Sequence, residues 1–195
     1  MMSTIADETA LWSRARSGDG RAFAAVFDAH RDRAFRHALR LCASAHDAED
    51  VVAGAFFELW RRRDAVPVVD GSVLPWLLVT TTNLARNSGR GLRRYRAAID
   101  RLPRSEERGD PAETAEERIA RERLLAAVHA LGERDAALLL LTALEGFTPT
   151  EAAAALDLSP GAARVRLHRA RKRLRERLGA DGPLTDTSLP EGAAR

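Results

Sequence analysis

Residues 148–178 read TPTEAAAALDLSPGAARVRLHRARKRLRERL, and two helix-start signals stand close together within them. Thr148-Pro149-Thr150-Glu151 is a capping box with proline at the first helical position, and it opens a short helix that ends by Leu156. Asp157-Leu158 turns the chain. Ser159-Pro160 then caps a longer helix running to about Leu178, where Gly179 ends it. A short helix, a tight turn and a longer basic helix form the helix-turn-helix pattern, whose second helix enters the major groove of DNA. At about 100° per residue, Ala163, Leu167, Ala170 and Leu174 fall on one side and are expected to pack inward. The other side shows Gly161, Val165, His168 and Lys172, flanked by Ala162, Arg164 and Arg169. Small residues near the start permit close approach, and arginine takes guanine or phosphate. With Ser159 at the cap, these are the candidate DNA-reading residues. A basic amphipathic helix in an ordinary bundle is the bland alternative, and two caps around so short a turn argue against it.

Outward from that stretch, the whole chain has 195 residues, 45% hydrophobic and 30% charged, which suits a soluble globular protein of one medium or two small domains. Every apolar run is far shorter than the roughly 18 residues of a membrane span, and no basic start precedes an apolar block near the N-terminus, so a cytoplasmic location is expected. The single Cys42 is expected in the core, and neither a metal site nor a cofactor is expected. The net charge of +3 conceals its distribution. Residues 86–104 hold seven arginines against Asp100 alone, and residues 160–178 hold seven arginines and Lys172 against Glu176 alone. Between them residues 101–120 are net acidic. Two basic stretches around an acidic spacer point to two contacts with one long polyanion, although solvated helix faces in an arginine-rich chain would carry similar charge.

Helical periodicity dominates the N-terminal half. Thr9 to Ser17 reads as a short helix, and Asp19 is placed to cap a second from Gly20 to about Cys42, with an apolar stripe through Phe23, Val26, Phe27, His30, Ala34, Phe35, Ala38, Leu39 and Leu41. In a third helix, about His46 to Arg63, the residues Ala48, Val51, Val52, Ala55, Phe56 and Leu59 form an unbroken stripe. Residues 64–75 form a loop. From Trp76 to about Arg96 propensity and pattern disagree: Val79-Thr80-Thr81-Thr82 favours a strand, whereas Leu77, Leu84 and the following arginines fit one helix, and a helix is expected. Residues 97–114 lack any period and read as a flexible linker. Its roughly 18 residues reach ~60 Å, nearly two turns of B-DNA. Helices at Ala115 to Leu131 and Glu133 to Glu145 lead into the helix-turn-helix, and the tail at 180–195 is expected to be disordered. The fold class is therefore all-α: two small helical domains joined by a flexible linker, the C-terminal one a helix-turn-helix.

Four blocks in order resemble the sigma-70 family of bacterial RNA polymerase initiation factors, in particular the small extracytoplasmic-function (ECF) group. ALWSRARSGDGRAFAAVF at 10–27 is similar to the start of that family's second region. DAEDVVAGAFFELWRR at 47–62 is similar to its polymerase-binding helix, and PWLLVTTTNLARNSGR at 75–90 to its promoter-melting, −10-reading helix. Residues 145–178 are similar to its fourth region. The resemblance implies a non-enzymatic factor with region 2 at 10–96, a linker at 97–114 and region 4 at 115–179, the last reading the −35 element. Its implied partners are promoter DNA, the clamp helices of the largest subunit of core RNA polymerase, and an anti-sigma factor. It assigns Asp47, Glu49, Asp50, Glu58 and Arg61 to the polymerase and Asn83, Arg86, Asn87 and Arg90 to −10 DNA, with the loop at 66–74 capturing an extruded base. No Walker motif is present to couple ATP hydrolysis to melting, so binding energy is expected to open the duplex.

This chain departs from the family pattern at Ala53 and Gly54, where polar residues are usual, and at Asn87, where aspartate is common. The acids of the third helix also suit its dipole, and Trp76 fits a core position better than a stacking platform. Two rivals remain. A helix-turn-helix regulator acting without polymerase would need an effector or phosphoacceptor domain, for which the sequence shows no pattern. A metal-dependent nuclease using His46, Asp47 and Asp50 would need further catalytic motifs, and none accompanies them.

Overall fold

Local capping sets where the helices begin. In the computed structural model, which describes the backbone of residues 2–99 and 114–179 and the side chains of 8–88 and 114–179, Asp19 accepts hydrogen bonds from the N–H groups of Arg21 and Ala22 at 2.9 and 3.1 Å. It starts α2 (Gly20–Leu39), which follows α1 (Met2–Arg16). Ser44 caps α3 (Ala45–Arg61), and α4 (Leu74–Ile99) completes the first half. The second half comprises α5 (Ala115–His129), α6 (Glu133–Ala143), α7 (Pro149–Ala155) and α8 (Pro160–Leu178). Capping boxes open both α5, through Thr114 and Glu117, and α7, through Thr148 and Glu151. Among the described residues there is no β-strand, only a Val69–Ser72 bridge. Most of the expected linker and all of the expected disordered tail lie outside the described residues.

The six-residue stripe of α3 is buried as its spacing requires, and it packs on α2 and α4 around Trp12, Val26, Leu77 and Leu78. Residues 79–82 are helical despite their β-branched side chains. Burial decides this, and the buried Thr81 hydroxyl is satisfied by donating back to the Leu77 carbonyl at 2.8 Å. Trp76 is partly buried against the core, as expected of a packing residue, and Cys42 is buried. Leu39 departs from the expected stripe and is 40% exposed, because α2 ends there and the chain turns. α1 begins well before Thr9, and α4 continues past Arg96 to Ile99.

In the second half Ala163, Leu167, Ala170 and Leu174 of α8 face inward onto α5, α6 and α7, as the 100° wheel requires. Asp157 takes a left-handed φ of 53° in the turn between α7 and α8. The two halves touch: α4 packs against α6 and α7.

Candidate nucleic-acid and partner interfaces

The exposed face of α8 is assembled as the sequence predicts. Gly161, Ala162, Arg164, Val165, His168, Arg169 and Lys172 are all exposed, and Val165 at 51% is an apolar spot within a basic field. Ser159 spends its oxygen on the helix start, accepting from the Ala162 N–H at 3.2 Å. Two other arginines of α8 are held from behind. Asp135, in the first turn of α6, accepts from Arg166 at 3.0 Å and from Arg173 at 3.4 Å, tying α8 to its scaffold. Sequence reading missed this residue, because an acid in a first turn looks like a helix-dipole partner. The arrangement leaves a basic helix whose inward residues are all buried, with a polar face of a kind that can lie in a groove of DNA.

The acidic helix α3 is more occupied locally than expected. The Asp47 carboxylate accepts from the Ser44 hydroxyl at 2.8 Å while the Asp47 N–H donates to Ser44, so this acid serves the cap. Glu58 is gripped by Arg61 at 2.7 and 3.1 Å and by Arg62 at 2.8 Å, and these bonds, led by that of Arg61, hold its carboxyl below the usual range. Arg61 is correspondingly paired. Glu49 and Asp50 point to solvent, Asp50 with His46 at 3.9 Å. Among the described residues no group of three or more His, Cys, Asp or Glu side chains could hold a metal ion. Glu49, Val52 and Ala53 share an open groove with Phe27, Arg31, Asp32 and Phe35, beside which Phe57 is 63% exposed. Phe57 went unnoticed in the sequence, where it looks like an extension of the buried stripe. Gly54 has a different role from the one its departure suggests. It is half-buried, and a Cβ there would stand 3.3 Å from the Leu84 side chain, so the glycine lets α3 and α4 approach.

On α4 the expected DNA-facing set is divided. Asn87 is exposed, Asn83 is half-buried, and the Arg90 side chain lies outside the described residues. Arg86, expected on the DNA face, is 1% exposed. Its guanidinium donates to the carbonyl oxygens of His129, at 3.1 Å, and Leu131, where α5 turns into α6. In this arrangement Arg86 therefore faces the C-terminal half of the chain instead of solvent, because the unsatisfied carbonyls at the end of a helix attract a cation.

A second cluster joins the halves one turn away. Glu145, just after α6, receives Arg33 at 3.0 Å, Nδ1 of His37 at 2.9 Å and Arg40 at 3.3 Å, while Arg33 also donates to the Glu145 carbonyl oxygen at 2.9 Å. Nε2 of His37 meets the Thr82 hydroxyl of α4 at 2.9 Å, and the Arg33 guanidinium lies over the Phe147 ring. Burial opposes ionisation of Glu145, but His37 and Arg33 outweigh it and bring its pKa down to about 2. Gly146, with φ 74°, reverses the chain directly behind it.

The loop at 66–74 is built rather than loose. Val69 and Ser72 exchange backbone hydrogen bonds at 2.9 and 3.0 Å around Asp70 and Gly71, both left-handed. Glu8 of α1 accepts from Ser72 at 2.9 Å, the Val73 N–H at 3.0 Å and His30 at 2.8 Å, and Thr9 donates to the Gly71 carbonyl. Burial raises the Glu8 pKa, and these bonds together lower it further than burial raises it. Among the described residues no helix is long and apolar enough to cross a membrane.

Residues 26–95 match the family described as Sigma-70 region 2, and residues 121–174 match Sigma-70, region 4. RNA polymerase sigma factor CarQ of Myxococcus xanthus is 30% identical over 169 residues, covering 85% of this chain and 94% of that protein. ECF RNA polymerase sigma factor SigE of Mycolicibacterium smegmatis is 32% identical over 154 residues, which are 76% of this chain and 58% of that relative. Among solved structures, that of CnrH in complex with the cytosolic domain of CnrY superposes with a TM-score of 0.57 at 27% identity, covering 90% of this chain and 99% of that one.

Proposed function

The chain belongs to the extracytoplasmic-function group of the sigma-70 family, and from that premise we propose that residues 10–96 bind core RNA polymerase and read and melt the −10 element while residues 115–179 read the −35 element. The observation that carries this reading is α8: its four inward residues are filled by the scaffold, leaving an exposed face of small and basic residues at the end of a capped helix-turn-helix. Arg164, Arg169 and Lys172 are its long donors, with Gly161, Ala162 and Val165 admitting close approach and His168 between them. Ser159 contributes the cap that aims the helix.

On the polymerase side the exposed Glu49 and Asp50 are the acids open to basic partner side chains. Asp47, Glu58 and Arg61 shape the helix that carries them and join the interface at its two ends. Asn83, Arg86, Asn87 and Arg90 form the −10 set, with Arg86 entering once the halves separate. Sigma factors are transcription initiation factors rather than enzymes, and this one acts in the cytoplasm, where its polymerase and promoters are. An anti-sigma factor is its natural restraint, a reading that fits its likeness to CnrH, solved with the cytosolic domain of CnrY bound.

Run-off transcription with purified core polymerase on a promoter library, with and without the protein, tests the proposal. Selective transcripts that depend on the protein are expected, and they give the promoter consensus. DNA binding without any such transcripts would overturn it in favour of a regulator that acts without polymerase.

A further inference from the structure

Glu145 is a carboxylate seated among three cationic or cation-capable side chains that all belong to the other half of the molecule. One wall of the seat is held independently of Glu145. The His37 side chain is completely buried and fixed on its far edge by Thr82, so its Nδ1 points at Glu145 without needing Glu145 to hold it there. Arg33 and Arg40 are 39% and 51% exposed and reach the same oxygens from the rim. Glu145 is the removable part, since it belongs to the half that carries α8. The proposed function has α4 and α8 reading two separate promoter elements, and while α4 is packed against α6 and α7 part of its DNA-facing set, Arg86 above all, is covered. When the halves part, Glu145 leaves with α6, and two guanidinium groups and an imidazole are left converging on one point. That leaves a concentration of positive charge without its carboxylate, where another anion is attracted.

We infer that Arg33, His37 and Arg40 of α2 form a binding site for a backbone phosphate of promoter DNA, and that Glu145 occupies this site as an internal phosphate substitute while the molecule is closed. The inference rests on the reading of α4 as a DNA-facing helix. Thr82, which supports His37, directly precedes Asn83 and lies one helical turn before Arg86, so a strand lying along α4 passes the cluster. Phosphate offers the same charge as a carboxylate with more acceptor oxygens, and the guanidinium fork suits it. DNA and Glu145 then compete for one site, and the closed state is self-inhibited by mimicry.

Fluorescence anisotropy of the full chain with a labelled, mixed-sequence single-stranded DNA of roughly 20 nucleotides tests this without knowledge of the promoter, because phosphate contacts are sequence-independent. Glu145→Gln is expected to tighten binding roughly tenfold, and Glu145→Lys, which repels the cluster, to do so even if the neutral glutamine stays seated. Adding Arg33→Gln and Arg40→Gln to either variant is expected to abolish the gain and to reduce the slope of log affinity against log salt by about 0.7 for each phosphate no longer neutralised. Unchanged affinity in both Glu145 variants would overturn the inference. A gain that survives loss of the two arginines would also overturn it, assigning the gain to α4 alone and the cluster to an acidic protein partner. The assay contains no polymerase, so a chain that shows these changes yet fails to programme transcription loses the function proposed above and keeps the phosphate site.

Discussion

Helices α4 and α8 carry the same chemistry and stand in opposite states. Both are basic and both are matched by sigma-70 regions, yet α8 presents its arginines to solvent while Arg86 of α4 is buried against carbonyls of the other half. The difference lies in what backs each helix. α8 turns its apolar side to its own scaffold, so its polar side is left over for DNA. α4 is packed on α2 and α3 and on α6 and α7 as well, so part of its polar side is also covered. Exposure of a basic helix is thus set by the company it keeps, and in this arrangement one of the two is open and the other partly covered.

The largest expected effect comes from undermining the available surface. Leu174 is 1% exposed beneath α8, and Leu174→Ala is expected to cost about 2–5 kcal/mol of stability, with loss of DNA binding by the C-terminal half, read by thermal unfolding followed by circular dichroism and by gel shift. Next, Arg164→Ala should weaken −35 binding by ~1–3 kcal/mol with altered sequence preference if Arg164 reads a base, whereas an equal loss on all sequences marks a phosphate contact. Binding measured across a panel of −35 variants separates the two.

Acid offers a gentler way to uncover α4. The Glu145 carboxyl has a pKa of about 2 in the closed state against an ordinary 4.5, so its contribution to closure is full above about 4.5 and is lost as pH falls towards 2. Energy transfer between dyes on α2 and α8 should drop across that window in the parent chain and change little in Glu145→Gln. The smallest effect is expected at Gly54. Alanine gains up to about 1 kcal/mol of helix propensity but crowds Leu84, so Gly54→Ala should stay within about 1 kcal/mol of the parent in chemical denaturation. A large stabilisation would show that α3 and α4 have room to spare.

Much of this was legible in the sequence wherever a single helix contains the whole signal. The stripe from Ala48 to Leu59 and the inward set from Ala163 to Leu174 need only the 3.6-residue period, and the caps at Asp19, Thr148 and Ser159 need only neighbours within three residues. Residues whose partners are distant in the chain were not legible. Glu145 reads as a helix-end acid and Arg86 as a DNA contact until residues more than 40 positions away are brought beside them. Gly54 reads as a defect in α3 until Leu84 is seen against it. At residues 79–82 the helical pattern was a better guide than strand propensity, and their burial is the tertiary reason.

The turn at Val69–Ser72 extends the functional unit backwards along the chain. The region 2 match begins at residue 26, yet the carboxylate that pins this turn belongs to Glu8, assisted by Thr9. The segment that family comparison treats as a preface is thus mechanically part of the loop it braces. A chain trimmed to the matched region would keep every residue of that loop and lose the strut that holds its shape.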